Sequence, residues 1–307
     1  MTCAPGRCRP TILLLAVLAL LAGAPAASAQ ITLPQADGTL LELREPARRI
    51  ITLAPNLAEL AFAAGAGEYL VATAEYSNHP AAARTLPRIG DAFRIDLERV
   101  LTLAPDLVIG WASGNPPGAL QRLEELGLAV WRTEVRAPGE IATLMRHIAR
   151  ATGDESRAAP SIAEVQRKLA AIGAAYPDRS PLRYFYQVAP QPLFTLNGEH
   201  LVSRGFALCG GVNVFAAAPV LASQVTREAV LAADPEVMIA PRLDPDEDPL
   251  ARWRSWPRLS ATRHGAFVYL PADEISRATP RTLDSIALGC KLMDRFRAAG
   301  RQQWEGP

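Results

Sequence analysis

Histidine is scarce in this chain. His79, His147, His200 and His264 are the only four in 307 residues, and they stand far apart, without the i, i+4 or C-x-x-C pairings that metal sites use. Charge of one sign is also missing: 32 basic and 31 acidic residues leave a formal net charge of +1, with no electrostatic pull toward nucleic acid or an anionic membrane. No G-x-x-x-x-G-K-[ST] loop occurs, and "GAGEYL" lacks the third glycine and the helix context of a dinucleotide fingerprint. Ser203 and Ser276 sit in no nucleophile elbow and beside no organised base, so a hydrolase has nothing to work with. These absences point away from an enzyme and from a resident cofactor or metal. A site made of His79, His200 and an acid is the one metal alternative kept open.

One long apolar run is present, at the N-terminus. Arg7 and Arg9 precede "TILLLAVLALLAG", and "ASA" at Ala27–Ala29 puts small side chains where a signal peptidase cuts. The run is short for a membrane span and has no cysteine at its end to take a lipid, so we expect a soluble exported protein cleaved after Ala29. Removing residues 1–29 from the 307 leaves 278, room for two ordinary domains, and moves the net charge to −1. Cys3 and Cys8 leave with the signal. Cys209 and Cys290 remain, and a pair in an exported protein most simply forms one disulfide; two buried free thiols are the alternative.

From Arg49 onward, short β-branched runs alternate with segments of helical period. "RIITLAP", "LVATA", "DLVIGW" and "LAVWRTE" read as strands. Between and after them, "NLAELAFAAGAG", "DLERVLTLAP", "PPGALQRLEELG" and "PGEIATLMRHIARATG" read as helices, the first with Asn56 as N-cap and Glu59 at N3. The same grammar restarts after Pro181 with "LRYFYQV", "PLFTL", "PEVMIAP" and "GAFVYLP" as strands and a long final helix from "TPRTLDSIALG". Such alternation implies parallel sheets covered on both faces, an α/β fold. "DESRAAPSIAEVQRKLAAIGAAYPD" has helical spacing and no strand. The expected organisation is therefore an α/β lobe over 30–152, a connecting helix over 153–180 and a second α/β lobe over 181–307.

One segment is written twice. "DLERVLTLAPDLVI" from Asp96 and "TREAVLAADPEVMI" from Thr226 lie 130 positions apart, and Glu98, Val100, Leu101, Pro105 and Ile109 align with Glu228, Val230, Leu231, Pro235 and Ile239. An acidic residue, Asp106 or Glu236, follows each proline. Alone, Glu98 and Glu228 read as carboxylates favoured in a helix's first turn. Their matching places in two similar lobes also suit one partner grasped from both sides.

"ITLAPNLAELAFAAGAG", "EYSNHP", "DLERVLTLAPDLVIGW", "ALCGGVNVF", "VTREAVLAADPEVMI" and "ISRATPR" resemble the vitamin B12-binding proteins, and more broadly the substrate-binding proteins of cobalamin, haem and siderophore importers. The resemblance runs from about Arg48 to Phe296. It implies a class III periplasmic binding protein: two lobes joined by one long helix, with cobalamin or a similar tetrapyrrole as cargo between them and no cofactor of its own. Family glutamates at the positions of Glu98 and Glu228 dock on arginines of an inner-membrane permease dimer, which works with its ATPase subunits. In such a fold the cleft lies at the carboxyl ends of the strands, where Tyr76, Trp111 and Phe194 stand. Asp273 and Arg277 match family positions that contact the ligand, and the family carries cysteines at the places of Cys209 and Cys290. Two family tryptophans are absent: "DAFR" offers only Phe93 near the first, and the second falls around Ala222 in "VLASQV". Their loss leaves room for a different corrinoid, haem or a siderophore.

Overall fold

Alternating aliphatic strands build two parallel sheets of one topology in the computed structural model, which describes Thr2, residues 30–177 and residues 179–304. The expected export signal, Thr2 apart, and its cleavage point at Ala29 lie outside the described residues. The first lobe comprises β1 (Ile31–Pro34), β2 (Leu40–Leu43), β3 (Ile50–Thr52), β4 (Leu70–Thr73), β5 (Leu107–Trp111) and β6 (Val130–Thr133). Its helices are α1 (Pro55–Ala63), α2 (Leu97–Thr102), α3 (Pro117–Glu125) and α4 (Glu140–Ala151). The sheet runs β4-β3-β5-β6 with every pair parallel, while β1 and β2 form a separate antiparallel hairpin. Side chains alternate between its two faces, as strand geometry requires. Ile50, Leu107 and Ile109 face one buried cluster, and Ile51 and Val108 face another with Val100, Leu120 and Leu123.

A 3-10 turn (Glu155–Ala158) leads into α5 (Ala159–Ala175), the connector, which is shorter than the span 153–180 expected for it. The second lobe comprises β7 (Leu182–Tyr186), β8 (Ala189–Pro190), β9 (Leu193–Leu196), β10 (Gly211–Asn213), β11 (Ala222–Gln224), β12 (Val237–Arg242) and β13 (Phe267–Pro271). Its helices are α6 (Leu201–Ala207), α7 (Arg227–Ala233), α8 (Ser260–Arg263), α9 (Ala272–Ile275) and α10 (Pro280–Trp304). The parallel sheet runs β10-β7-β12-β13, the order of the first lobe again. β8, β9 and β11 form a small antiparallel sheet of their own. Cys209 and Cys290 are disulfide-bonded, with Cα atoms 5.8 Å apart, and pin the end of α6 to α10. Lys168 of α5 pairs with Asp284 of α10 at 2.7 Å, tying the connector to the second lobe.

The repeated segment folds alike in both lobes. Asp96 Oδ1 accepts from Arg99 N at 3.0 Å to cap α2, and Thr226 Oγ1 accepts from Ala229 N at 3.1 Å to cap α7. Each helix then turns through a left-handed residue, Ala104 (φ 44°) or Asp234 (φ 40°). The acid after each proline serves the fold: Asp106 accepts from Arg48 N and Arg49 N (2.7 and 3.0 Å), and Glu236 from Arg183 N (2.8 Å). Arg49 donates to the carbonyls of Leu103 and Ala104 at the end of α2, and Arg183 to that of Ala233 at the end of α7.

At α1 the expected capping box is not made. Pro55 takes the first turn, where its missing N–H costs nothing. Ala54, not Asn56, is therefore the N-cap. Glu59 turns inward and is buried.

Candidate functional site

In both parallel sheets the chain places its second strand on one side of the first and its third on the other, so a crevice opens at the carboxyl ends of the strands, where the order reverses. Trp111 ends β5 and Tyr186 ends β7 there. Between them lies a cleft of about 800 Å³, walled by Phe93 and Trp111 from the first lobe and Tyr186, Val188, Leu196 and Ala222 from the second. A volume of that size suits a large, mostly apolar ligand. Past Trp111 and Phe93 it continues into a recess of about 300 Å³ bounded by Tyr76 and Arg277. Tyr76 and Phe93 are 74% and 71% exposed, an arrangement that leaves two aromatic faces bare at the mouth. Tyr76 also has φ 63°, a region costly for a residue with a side chain.

Trp111, Tyr76 and Arg277 are thus brought together, and Phe93 and Ala222, at the places of the absent family tryptophans, line the same cleft. Phe194 is not among the lining residues: it sits half-buried in β9 opposite Ala189 and Gln224, while Leu196, two places along, reaches the cleft. Asp273 and Arg277 spend their hydrogen bonds across the lobe junction. Arg277 Nη1 donates to Asn78 Oδ1 at 2.7 Å, and its Nη2 to Tyr76 O at 3.2 Å and Asp273 Oδ1 at 2.9 Å. Asp273 Oδ2 accepts from Asn78 Nδ2 at 2.7 Å. Burial pulls the Arg277 guanidinium below the ordinary arginine range, against the neighbouring Asp273 and Glu59 charges.

Glu59, Arg281 and Asn78 complete this junction, and none of them stands out as a site residue in the sequence. Glu59 of α1 accepts two hydrogen bonds from Arg281 at the start of α10, at 2.8 and 2.6 Å, and lies 3.9 Å from Arg277. Hydrogen bonding to Glu59 raises the Arg281 pKa. The one available signal is a lone charge inside the apolar run "NLAELAFAAG".

His200 lines the cleft and caps α6, its Nδ1 accepting from Val202 N at 3.2 Å. Burial pushes its imidazole down to about 4, so it is neutral at physiological pH. His79 is exposed on the first lobe. Among the described residues, no group of three or more His, Cys, Asp or Glu is placed to hold a metal. Glu98 and Glu228 lie away from the cleft, each exposed at the second position of its helix. Among the described residues Glu228 pairs only with the adjacent Arg227, at 3.5 Å, and a hydrogen bond to its own backbone N–H holds its carboxyl below the usual range.

Two lobes of matched topology, a helical connector and an aromatic-walled cleft between them define a two-lobed ligand-binding protein. The chain belongs to the periplasmic binding protein family, which its residues 50–274 match. It is 38% identical over 259 residues to the vitamin B12-binding protein of Vibrio cholerae serotype O1, a span covering 83% of this chain and 92% of that protein. The vitamin B12-binding protein of Photorhabdus laumondii is 36% identical over 191 residues, 62% of this chain and 70% of that one. Among solved structures, the periplasmic vitamin B12 binding protein BtuF of Vibrio cholerae superposes with a TM-score of 0.76 at 37% identity, covering 82% of this chain and 98% of the other. The periplasmic heme-binding protein RhuT from Roseiflexus superposes at 0.68 with 23% identity, covering 81% and 98%, a likeness of fold alone.

Proposed function

We propose that this protein captures cobalamin, or a closely related corrinoid, in the periplasm and delivers it to an inner-membrane ABC importer. The observation that carries the reading is the cleft: about 800 Å³, with the aromatic residues Trp111, Phe93 and Tyr186 among those lining it. A corrin is a large flat ring rimmed with amides, so it needs aromatic faces and a few well-placed polar groups. Asn197, His200 and Ser276 supply such groups around the walls. The named function of the 38%-identical relative supports the same reading. Cobalamin is cargo here, carried unchanged, and the protein has neither a catalytic step nor a cofactor of its own.

The second reading, haem or a ferric siderophore, draws on one observation. At Ala222 the cleft wall has a methyl group where the B12-binding relatives are expected to stack a tryptophan. Calorimetry with cyanocobalamin, haemin and a ferric siderophore separates the two. Tight binding of cyanocobalamin is the expected outcome; tight binding of only the other two would overturn the choice of ligand. On this reading Glu98 and Glu228 meet arginines of a permease dimer, which is coupled to its ATPase subunits. The exported form begins at Gln30, a point that the mass of protein recovered from the periplasm checks.

A further inference from the structure

The indole of Trp111 is held from two directions, by Glu134, which does not line the main cleft, and by Gly114, which does. Its Nε1–H donates to Glu134 Oε1 at 3.2 Å. Glu134 follows Thr133, the residue that pairs with Trp111 across β5 and β6, so adjacent strands bring carboxylate and indole together. That carboxylate is itself fixed, with Ser113 N donating to Oε2 at 3.0 Å and Val135 N to Oε1 at 3.3 Å. On the ring's other side stands Gly114. A Cβ there would collide with Cε3, Cδ2 and Cζ3 of the indole, so the ring rests directly on the glycine backbone. Asn115 completes the turn, its Oδ1 accepting from Trp111 N at 2.7 Å while its Nδ2 donates to Leu53 O and Ala92 O.

From this geometry we infer that Glu134 is a positioning residue for ligand binding, setting, with the Gly114 backbone against the ring, the plane in which Trp111 presents its face. Glu134 lines neither the main cleft nor the recess toward Tyr76; it borders a smaller adjoining hollow with Trp111 and Thr133, and so acts through the indole. Trp111 borders all three spaces, which makes the angle of its ring decide the shape of each. An indole N–H shared with a carboxylate is a charge-assisted hydrogen bond that pushes electron density onto the ring. Its π-face is then best matched to a flat, electron-poor ligand such as a metal-bound tetrapyrrole. Without Glu134 the ring is free to turn, and without Gly114 it has to move.

The inference rests on the cleft being the ligand site, and its test has one arm that needs no ligand. In ¹⁵N-labelled apo protein, the Trp111 indole N–H signal, assigned by its disappearance in Trp111→Phe, should shift in Glu134→Ala and Gly114→Ala and return toward its place in Glu134→Gln, which keeps an acceptor. In the second arm, cyanocobalamin affinity should fall about tenfold in Glu134→Ala and in Gly114→Ala, the scale of a single misaligned stacking interaction. In a Trp111→Phe background, Glu134→Ala should then add almost nothing, because the residue it orients is gone. An unmoved indole signal in Glu134→Ala overturns the inference, as does an equal loss of affinity with and without Trp111. If wild-type protein ignores cyanocobalamin, the ligand reading fails, and the apo indole signal still decides the positioning.

Discussion

Replacing Glu59 by alanine should loosen the junction between the lobes. Its side chain is 4% exposed, and it neutralises two guanidinium groups brought from 218 and 222 positions away, Arg277 and Arg281. Removing one partner of a buried pair typically costs about 3–5 kcal/mol, because the other is left desolvated. Two features place this case at the low end. Arg281 is 24% exposed and has Glu274 Oε1 at 3.8 Å, while Arg277 keeps Asp273 at 2.9 Å. We therefore expect Glu59→Ala to lose about 3 kcal/mol, with Glu59→Gln losing less because it keeps one acceptor for Arg281. Urea denaturation followed by far-UV circular dichroism gives the number, read from the midpoint at unchanged slope. The apolar double replacement Glu59→Leu with Arg281→Leu should recover most of the loss, since a well-packed pair avoids the desolvation penalty altogether. A loss below about 1 kcal/mol in Glu59→Ala would refute the reasoning, for the pair would then be behaving as a solvent-exposed one.

Other outcomes follow from single residues. Glu98→Ala and Glu228→Ala should bind ligand normally and impair transport, the double variant more than either; wild-type uptake by the double variant would reduce both residues to helix-start charges. For His200, burial lowers the folded pKa to about 4 from 6.5, so between those values the unfolded chain takes up a proton that the folded one refuses. Stability should therefore fall as pH drops through that window, and His200→Asn, which still caps α6, should remove about 3 kcal/mol of the fall in pH-dependent urea melts; parallel profiles would sink the assignment. Reducing Cys209–Cys290, which lie 81 residues apart, should cost up to about 4 kcal/mol on the chain-entropy account. Mass spectrometry without reduction should find no free thiol.

What is legible in the sequence is what is local. Alternation of short aliphatic runs with helical periods points to parallel sheets, because burial on both faces demands those runs. The doubled segment is visible since its residues answer to the same surroundings in both lobes. "ADG", whose Gly38 adopts φ 85° in the β1–β2 turn, also carries a hairpin signal, though the regular strand pattern begins only at Arg49. The Glu59–Arg281 pair has no such signal, since nothing in "NLAELAF" or "TPRTL" says that they meet. Phe194 has the pattern of a strand-end aromatic, but its strand pairs with β8 and β11, partners that no local pattern specifies. Asn56 and Glu59 have the spacing of a capping box, yet Pro55 begins the helix two residues earlier and frees Glu59 for the other lobe.

The doubled segment also separates what the fold needs from what it displays. Val100 and Val230 are fully buried, as are Ile109 and Ile239, and Pro105 and Pro235 are buried behind them. Ala104 and Asp234 make the same left-handed turn, and Asp106 and Glu236 hold the same backbone at the start of the first strand of each parallel sheet, β3 and β7. Packing and backbone geometry account for all of these. Glu98 and Glu228 are different: both helices already have capped N-termini, through Asp96 and Thr226. Neither glutamate contributes to the core, and among the described residues Glu98 makes no ion pair while Glu228 pairs only with its sequence neighbour. A carboxylate outside the core, set twice on the same scaffold, is what the proposed docking on a permease dimer would use. Because one topology produced both positions, the two carboxylates match in local setting as well as in sequence, which is what a monomer needs in order to meet a two-fold partner.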